Sequence, residues 1–255
     1  FQKVKNKMNM KKIILSFASL AFCAGSLGTQ AQDLQIPAGF VVRQANCVIT
    51  DDRLTFQDIL DRARQLEFSE NAPNVMFFRV PVYASPEYDQ NYDFMIAQYY
   101  SSYSEMAERR IPQGNSAYGR LAISCDTAAV VRNIPVSPGD GLEDFSLMTT
   151  RFCTLNPGAT VRGAFSRARE AMSNIERDSG NNTMMQMWLP GLGGEMNPDF
   201  DFVAAHVGSN PQELMERLDL FRDGYRAGAG NNREFTHSCA RASLWATYRV
   251  FQAAN

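Results

Sequence analysis

Apolar residues follow two different spacings along this chain. Where they recur at every second residue the pattern is typical of β-strands, and where they recur at every third or fourth residue it is typical of amphipathic helices. Thr55, for example, is placed to cap a helix in which Phe56, Ile59 and Leu60 share one face. The predicted elements are strand 40–49, helix 56–68, strand 75–82, strand 92–100, helix 103–110, strand 121–132, strand 147–155, helix 160–177, strand 183–189, strand 200–207, helix 211–222 and a last strand over 235–251 that bends.

The order of these elements is βαββαβ, and it occurs twice. Residues 93–109 (DFMIAQYYSSYSEMAER) align without a gap with residues 201–217 (DFVAAHVGSNPQELMER), and seven of the seventeen aligned positions are identical. Residues 55–64 match residues 160–169 in the same way. Such internal similarity indicates that one supersecondary unit is used twice.

A βαββαβ unit is the ferredoxin-like arrangement, with helices on one face of an antiparallel sheet. We therefore predict an α+β protein made of two tandem ferredoxin-like units, residues 32–134 and residues 147–255. Residues 135–146, rich in Pro, Gly and acidic side chains, are the predicted linker. In this topology the strand order is 4-1-3-2, so the first and fourth strands of each unit are neighbours.

Residues 1–31 are predicted to be upstream residues followed by a signal peptide. Lys11 and Lys12 precede a short apolar run, and a small-x-small cleavage site ends at Ala31. The run is too short to span a bilayer, and no later stretch is long and apolar enough to do so, so we expect a periplasmic or secreted protein cleaved near Ala31. Lipidation of Cys23 is the alternative, although Phe22 is bulky where such sites favour a small residue.

The charged residues exclude several kinds of chemistry. Loss of residues 1–31 would remove all five lysines and no acidic residue, leaving 20 basic and 27 acidic residues and a net charge of −7 (20 − 27). Every remaining basic residue is arginine, which excludes a lysine Schiff base, a phosphate-loop lysine and a lysine general base. The negative balance argues against a nucleic-acid partner.

Four cysteines follow residue 31, two in each half of the repeat. An exported chain meets an oxidising compartment, so disulfides are expected. Four cysteines permit three pairings, and the repeat favours Cys47 with Cys125 and Cys153 with Cys239, because each pair lies on the neighbouring first and fourth strands of one unit. Paired catalytic thiols are the alternative, but no C-x-x-C spacing is present.

In element order, two tandem ferredoxin-like units resemble the dimeric α+β barrel superfamily, which includes antibiotic-biosynthesis monooxygenase-like proteins. The resemblance covers nearly all of the chain after residue 31 and includes no motif that identifies a catalytic residue. It implies two antiparallel sheets packed face to face as an intramolecular α+β barrel, with the helices outside and a pseudo-twofold axis between the halves. Because the second unit takes the place of a dimer partner, we expect a monomer.

Strand parity predicts which side chains face the space between the sheets. On the second strand of each unit, one parity is wholly apolar (Met76 and Phe78 in the first unit) and suits packing under the helices. The opposite parity, together with the mixed face of the third strand, predicts a pocket. Its five candidate residues are Arg79, Gln98, Gln186, Trp188 and His206.

Three functions fit these features. The first is a binding module that holds a small apolar or aromatic molecule between the sheets. The second is a cofactor-independent, monooxygenase-like enzyme in which His206, Trp188 and Arg79 surround the substrate. The third is a structural or interaction protein with a closed barrel, in which the five polar candidates satisfy one another. With only His206 and His237, and without an H-E-x-x-H or G-x-S-x-G motif, we expect neither a metal site nor a cofactor.

Overall fold

The computed structural model describes residues 36–68, 71–84, 91–110, 117–193, 199–223 and 236–253, so the predicted signal peptide and Cys23 lie outside the described residues. Within them, no helix combines the length and apolar character that crossing a bilayer requires. The elements are β1 (Phe40–Ile49), α1 (Phe56–Arg64), β2 (Val75–Tyr83), β3 (Phe94–Tyr100), α2 (Tyr103–Arg110), a 3-10 turn (Ala117–Arg120), β4 (Ile123–Ser137), β5 (Phe145–Leu155), α3 (Val161–Ser179), β6 (Met184–Gly193), β7 (Phe202–Val207), α4 (Pro211–Arg222), β8 (His237–Cys239) and β9 (Ser243–Gln252).

Eight of the strands form a closed antiparallel barrel. Around the ring their order is β7-β6-β4-β1-β3-β2-β9-β5, and a pairing between β5 and β7 closes it. The short strand β8 pairs with β5 beyond the end of β9. The protein is therefore α+β with an antiparallel sheet, as the sequence predicted.

Each half of the chain contributes four neighbouring strands to this ring. The first half supplies β4-β1-β3-β2, and the second supplies β9-β5-β7-β6. The halves meet edge to edge, because β2 pairs with β9 and β4 pairs with β6. The two sheets that were predicted to face each other are thus joined by hydrogen bonds into one continuous barrel.

The end of β4 differs from the prediction. This strand continues to Ser137, which is three residues into the segment predicted as linker. The extension exists because Pro135 pairs with Gln186 of β6 and Ser137 pairs with Met185. Contacts between the halves therefore determine where β4 ends.

A β-bulge divides the last predicted strand into β8 and β9. Residues 240–242 lie opposite only two residues of β5, because Cys153 pairs with Cys239 and Thr150 pairs with Ser243. The pairing of β1 with β4 shifts at the equivalent place, next to Gln44. Both halves therefore have an irregular strand pairing within three residues of a cysteine.

Helix α1 shows how the sequence covers the outside of the barrel. The Thr55 hydroxyl accepts a hydrogen bond from the Asp58 backbone N–H, and the Asp58 carboxylate accepts one from the Thr55 backbone N–H, which is a capping box. On the opposite side of the helix, Ile59 and Leu60 pack in one buried cluster with Phe78 of β2. The apolar parity of β2 thus lies under the helix, outside the barrel interior.

The repeated Asp-Phe pair makes the same contacts in each half. The carboxylates of Asp93 and Asp201 each accept a 2.6 Å hydrogen bond from the backbone N–H two residues beyond a cysteine, Cys47 or Cys153. The backbone N–H of each aspartate donates to the carbonyl of that cysteine at 2.9 Å. These contacts fix the start of the third strand of each half against the end of the first strand.

The repeated glutamates also have matching contacts. Glu105 accepts a hydrogen bond from the backbone N–H of Ser101 at the start of α2, and Glu213 accepts one from Ser209 at the start of α4. A carboxylate at this place satisfies a free backbone donor and complements the helix dipole. The identical positions of the repeat are therefore mainly structural.

Two disulfides confirm the predicted pairing. Cys47 is bonded to Cys125 and Cys153 to Cys239, with S–S distances of 2.07 Å and 2.06 Å. Each pair faces across two neighbouring strands, β1 with β4 and β5 with β8. Two such bonds fit an oxidising extracellular compartment.

Candidate ligand-binding site in the barrel

One end of the barrel interior holds a cavity of about 850 Å³. Its volume lies within the usual range for small-molecule pockets, about 300–1,000 Å³. Below it is called the first cavity. Every strand contributes to its lining, which includes Gln44, Asn46, Arg79, Met95, Ala129, Met148, Trp188, Val203, Ser238 and Trp245.

Arg79 of β2 is the central polar group of the barrel. Only 3% of it is exposed to solvent. Its Nη2 donates a 2.6 Å hydrogen bond to the Tyr99 hydroxyl, and its guanidinium carbon lies 5.0 Å from the centre of the Trp188 ring. A guanidinium over an aromatic face gains a cation–π attraction that strengthens as water is removed.

Most of the hydrogen-bonding capacity of Arg79 is unused within the described residues. Its Nε and Nη1 atoms are buried without an acceptor, and no carboxylate of the described chain forms an ion pair with it. Nε carries one N–H group and Nη1 carries two. A buried cation in this state is costly unless an anion or other acceptor joins it.

Two further polar atoms in the first cavity are buried and without a partner in the described chain. They are Nε2 of Gln44 and Oδ1 of Asn46, both on β1. Gln44 lies where the pairing of β1 with β4 shifts, and bulges often change the direction of a side chain next to a site. The cavity therefore offers a cationic donor, an amide donor and an amide acceptor.

The rest of the first cavity is largely apolar and aromatic. Trp188, Met95, Met148, Val203 and Trp245 belong to one buried cluster of the barrel interior. The indole N–H of Trp245 donates to the Thr150 hydroxyl at 2.8 Å. Apolar walls with a few convergent polar groups are the common form of a small-molecule site.

A second cavity, of about 860 Å³, occupies the other end of the barrel, next to the segment 138–143. Gln186 lines it, and its Oε1 accepts hydrogen bonds from Asn133 Nδ2 at 2.8 Å and Trp188 Nε1 at 3.0 Å. Arg79 lines both cavities. The layer formed by Arg79, Trp188 and Gln186 thus lies between the two ends.

Three of the five predicted pocket residues therefore line the barrel interior, but Gln98 and His206 do not. Residues paired across antiparallel strands share a face, and Gln98 is paired with Met76, which lies under α1. His206 is likewise paired with Met185 instead of a cavity residue. The parity assigned to the third strand of each half was wrong, and these two side chains lie on the helix-covered side.

On that side Gln98 has a protein partner. Its Oε1 accepts a 2.9 Å hydrogen bond from Nη1 of Arg43, another buried arginine. His206 is partly buried near Arg217 of α4, whose side chain is 1% exposed, and near Arg151 of β5. Gln98 and His206 belong to the packing between barrel and helices.

The environment of His206 predicts a pH-dependent stability. Burial lowers the pKa of His206 to about 3, with help from the charges of Arg217 and Arg151. The unfolded chain takes up a proton near its ordinary pKa of about 6.5 while the folded protein does not, so stability should fall as pH drops from 6.5 towards 3. We expect the parent protein to lose about 1.4 kcal/mol more per pH unit in this window than His206→Gln.

Urea denaturation of both proteins at pH 7, 6, 5 and 4 measures this difference. Acidic residues that titrate in the same window contribute to both curves and cancel when one is subtracted from the other. Parallel stability profiles for parent and variant would show that His206 is free to take up a proton in the folded state.

His237 lies beside the second disulfide. It forms a group with Cys153 and Cys239 in which one ligand-type atom of each lies within 4.8 Å of the others. Both sulfurs are bonded to each other, so the group offers no thiolate to a metal. Burial lowers the pKa of His237, and its ring contacts Phe202 at 5.0 Å between centroids.

Sequence analysis missed Gln44 and Asn46. Both lie on β1 with the parity of Val42, which packs inside the barrel against Phe77. A signal was present, because two amides at alternate positions of a strand with apolar flanks are unusual on a buried face.

Similar proteins were found only among solved structures. No protein-family model matches the chain, and no curated protein does. A chlorite dismutase variant from Candidatus Nitrospira defluvii is 8% identical with a TM-score of 0.46, over 86% of this chain and 95% of that one. The same enzyme in complex with imidazole is 9% identical with a TM-score of 0.46, over 83% of this chain and 91% of that one.

A protein of Fusobacterium nucleatum whose name makes it a candidate monooxygenase is 9% identical with a TM-score of 0.42, over 84% of this chain and 94% of that one. Identities and scores this low say nothing of a shared ligand or activity. The function of this chain has to be argued from its own residues.

Proposed function

We propose that this protein is an exported binding protein that holds a small molecule inside its barrel. The observation that carries the proposal is the first cavity, about 850 Å³ in volume and lined by residues of every strand. Its walls present the Trp188 ring and the Trp245 side chain beside buried polar atoms that have no hydrogen-bond partner in the described part of the chain. An aromatic or apolar ligand of moderate size suits such a lining.

The position of His206 favours binding over catalysis. The monooxygenase-like alternative required His206 next to Trp188 and Arg79, but His206 lies on the helix-covered side of β7. Among the described lining residues there is no histidine, and the one cysteine, Cys239, is disulfide-bonded. Of the side chains that commonly act as general bases, the described lining holds a single carboxylate, Asp199, and no imidazole.

The third alternative, a closed structural barrel, is disfavoured by the unused polar atoms. If the interior served packing alone, Arg79 and Gln44 would be expected to find protein partners, because a buried polar group without one costs about 1–3 kcal/mol. Both keep unpaired donors within the described chain. A ligand is a direct way to satisfy them.

We infer that residues 32–134 and 147–255 are two ferredoxin-like units, which the strand orders β4-β1-β3-β2 and β9-β5-β7-β6 support. The edge-to-edge pairing of the halves supplies the barrel within one chain, so a monomer is sufficient. Export follows from the predicted signal peptide of residues 1–31 and agrees with the two disulfides.

Narrowing the first cavity should weaken ligand binding. We expect Ala129→Phe, at the lining of β4, to reduce the affinity for the neutral aromatic probe 2-naphthol at least tenfold, because the added ring occupies cavity volume. Quenching of tryptophan fluorescence on titration with 2-naphthol measures the affinity, since Trp188 and Trp245 both line the cavity.

Leu192→Phe is the matched control for this change. Leu192 lies on β6, is 57% exposed and is not part of the cavity lining, so the same ring added there should leave the affinity unchanged. Equal affinities of parent and Ala129→Phe would contradict binding in the barrel. Native mass spectrometry of the exported protein, before and after denaturation, then identifies a molecule that co-purifies.

A further inference from the structure

We propose that the ligand of the first cavity is an organic monocarboxylate with an aromatic or apolar body, and that its carboxylate accepts hydrogen bonds from Arg79. The inference rests on the proposed function and names the class of molecule that the cavity takes. Four features of the barrel lead to it.

The first feature is the unbalanced charge of the interior. Arg79 is 3% exposed, and no carboxylate of the described chain pairs with it. An anion supplied from outside removes the imbalance.

The second feature is the set of unused donors on Arg79. The Tyr99 hydroxyl and the Trp188 ring hold the guanidinium, and the N–H groups on Nε and Nη1 have no acceptor among the described residues. A planar guanidinium held in this way is matched to a planar carboxylate. Nε2 of Gln44, which also lines the first cavity without a partner, offers a neutral donor.

The third feature limits the charge of the ligand. Arg79 is the only arginine among the lining residues that the structure describes, and the chain has no lysine after residue 12. Asp199 also lines the cavity and repels anions. The single buried cation, Arg79, can pair with one negative charge, and the Asp199 carboxylate disfavours a second. A ligand with one negative charge therefore suits the cavity better than a phosphate ester with two.

The fourth feature is the material around the arginine. Met95, Met148, Val203 and Trp245 surround the layer that holds Arg79. Such walls exclude water, which strengthens an ion pair, and they bury the apolar body of the ligand. An inorganic anion would leave most of the volume of about 850 Å³ unused.

A matched pair of probes tests the inference. 2-Naphthoate and 2-naphthamide share one aromatic body and differ in charge. We expect the parent protein to bind the carboxylate at least tenfold more tightly than the amide in isothermal titration calorimetry, and Arg79→Gln to bind the two probes equally. Arg43→Gln removes another buried arginine, on the helix-covered side, and should keep the preference.

The outcomes separate the inference from the proposed function. Equal affinity of the parent for both probes would overturn the carboxylate assignment and leave the binding function standing. If the parent protein binds neither of these probes nor 2-naphthol, the carboxylate assignment and the proposed binding function are both overturned. A preference that survives in Arg79→Gln would assign the anion to another residue. If Arg79→Gln fails to fold, Arg79→Met takes its place. Equal binding of the two probes by Arg79→Met supports the assignment, and a preference for the carboxylate that survives in Arg79→Met overturns it.

Discussion

Replacing Cys153 and Cys239 together by alanine is expected to lower the free energy of unfolding by about 4 kcal/mol. The bond joins residues 86 positions apart, and a cross-link over a loop of this length restricts the unfolded chain by about that amount in the chain-entropy description. The folded barrel keeps the hydrogen bonds between β5 and β9. Most of the loss in stability therefore comes from the larger conformational entropy of the unfolded chain without the cross-link. Urea denaturation followed by tryptophan fluorescence measures the change.

The same change in the first half is the control. Cys47 and Cys125 are 78 positions apart, which predicts nearly the same loss for their paired replacement. The two losses should add in the fourfold variant, because the bonds constrain separate segments of the chain. A loss below about 1 kcal/mol for either pair would mean that the reduced unfolded chain keeps structure near that bond.

Replacing Trp188 by alanine is expected to cost about 3–5 kcal/mol of stability, the usual range for a buried aromatic side chain. The residue is 6% exposed and packs in the barrel-interior cluster with Met95 and Val203. Its loss also removes the ring beside Arg79 and the hydrogen bond to Gln186. Thermal and urea denaturation of the ligand-free protein give the difference.

Trp188→Phe separates packing from the other roles. Phenylalanine keeps an aromatic face next to Arg79 and loses the indole N–H, so we expect it to recover more than half of the stability lost in Trp188→Ala. A loss of stability below about 1 kcal/mol for Trp188→Ala would show that the adjacent cavities leave Trp188 with few packing contacts to lose. The cost of such a substitution depends on how far the surrounding structure can collapse into the space.

The barrel combines a firm frame with an interior that is incompletely satisfied. Disulfides, bulges and the repeated Asp and Glu contacts hold the strand ends at equivalent places in both halves. The interior places Arg79 where protein groups use only part of its donors. Real proteins accept such local costs at functional sites, which is why we assign the ligand to this point.

The sequence by itself determined the element order, the internal repeat and the cysteine pairing. These follow from local periodicity and from the comparison of two related segments, because strand alternation, helix spacing and the Asp-Phe positions are properties of short stretches of chain. The pairing of Cys47 with Cys125 needed only the order of strands within one unit, and the structure confirms it.

Only the tertiary structure decided which face of the third strand turns inward. All seven residues of β3 are buried, so hydrophobic alternation does not distinguish the cavity side from the helix side, and a shift of one residue exchanges the two. The register that pairs Arg79 with Met95 places Gln98 under the helices. The cavity and the unused donors of Arg79 arise from closure of the ring, because they depend on side chains from strands far apart in sequence.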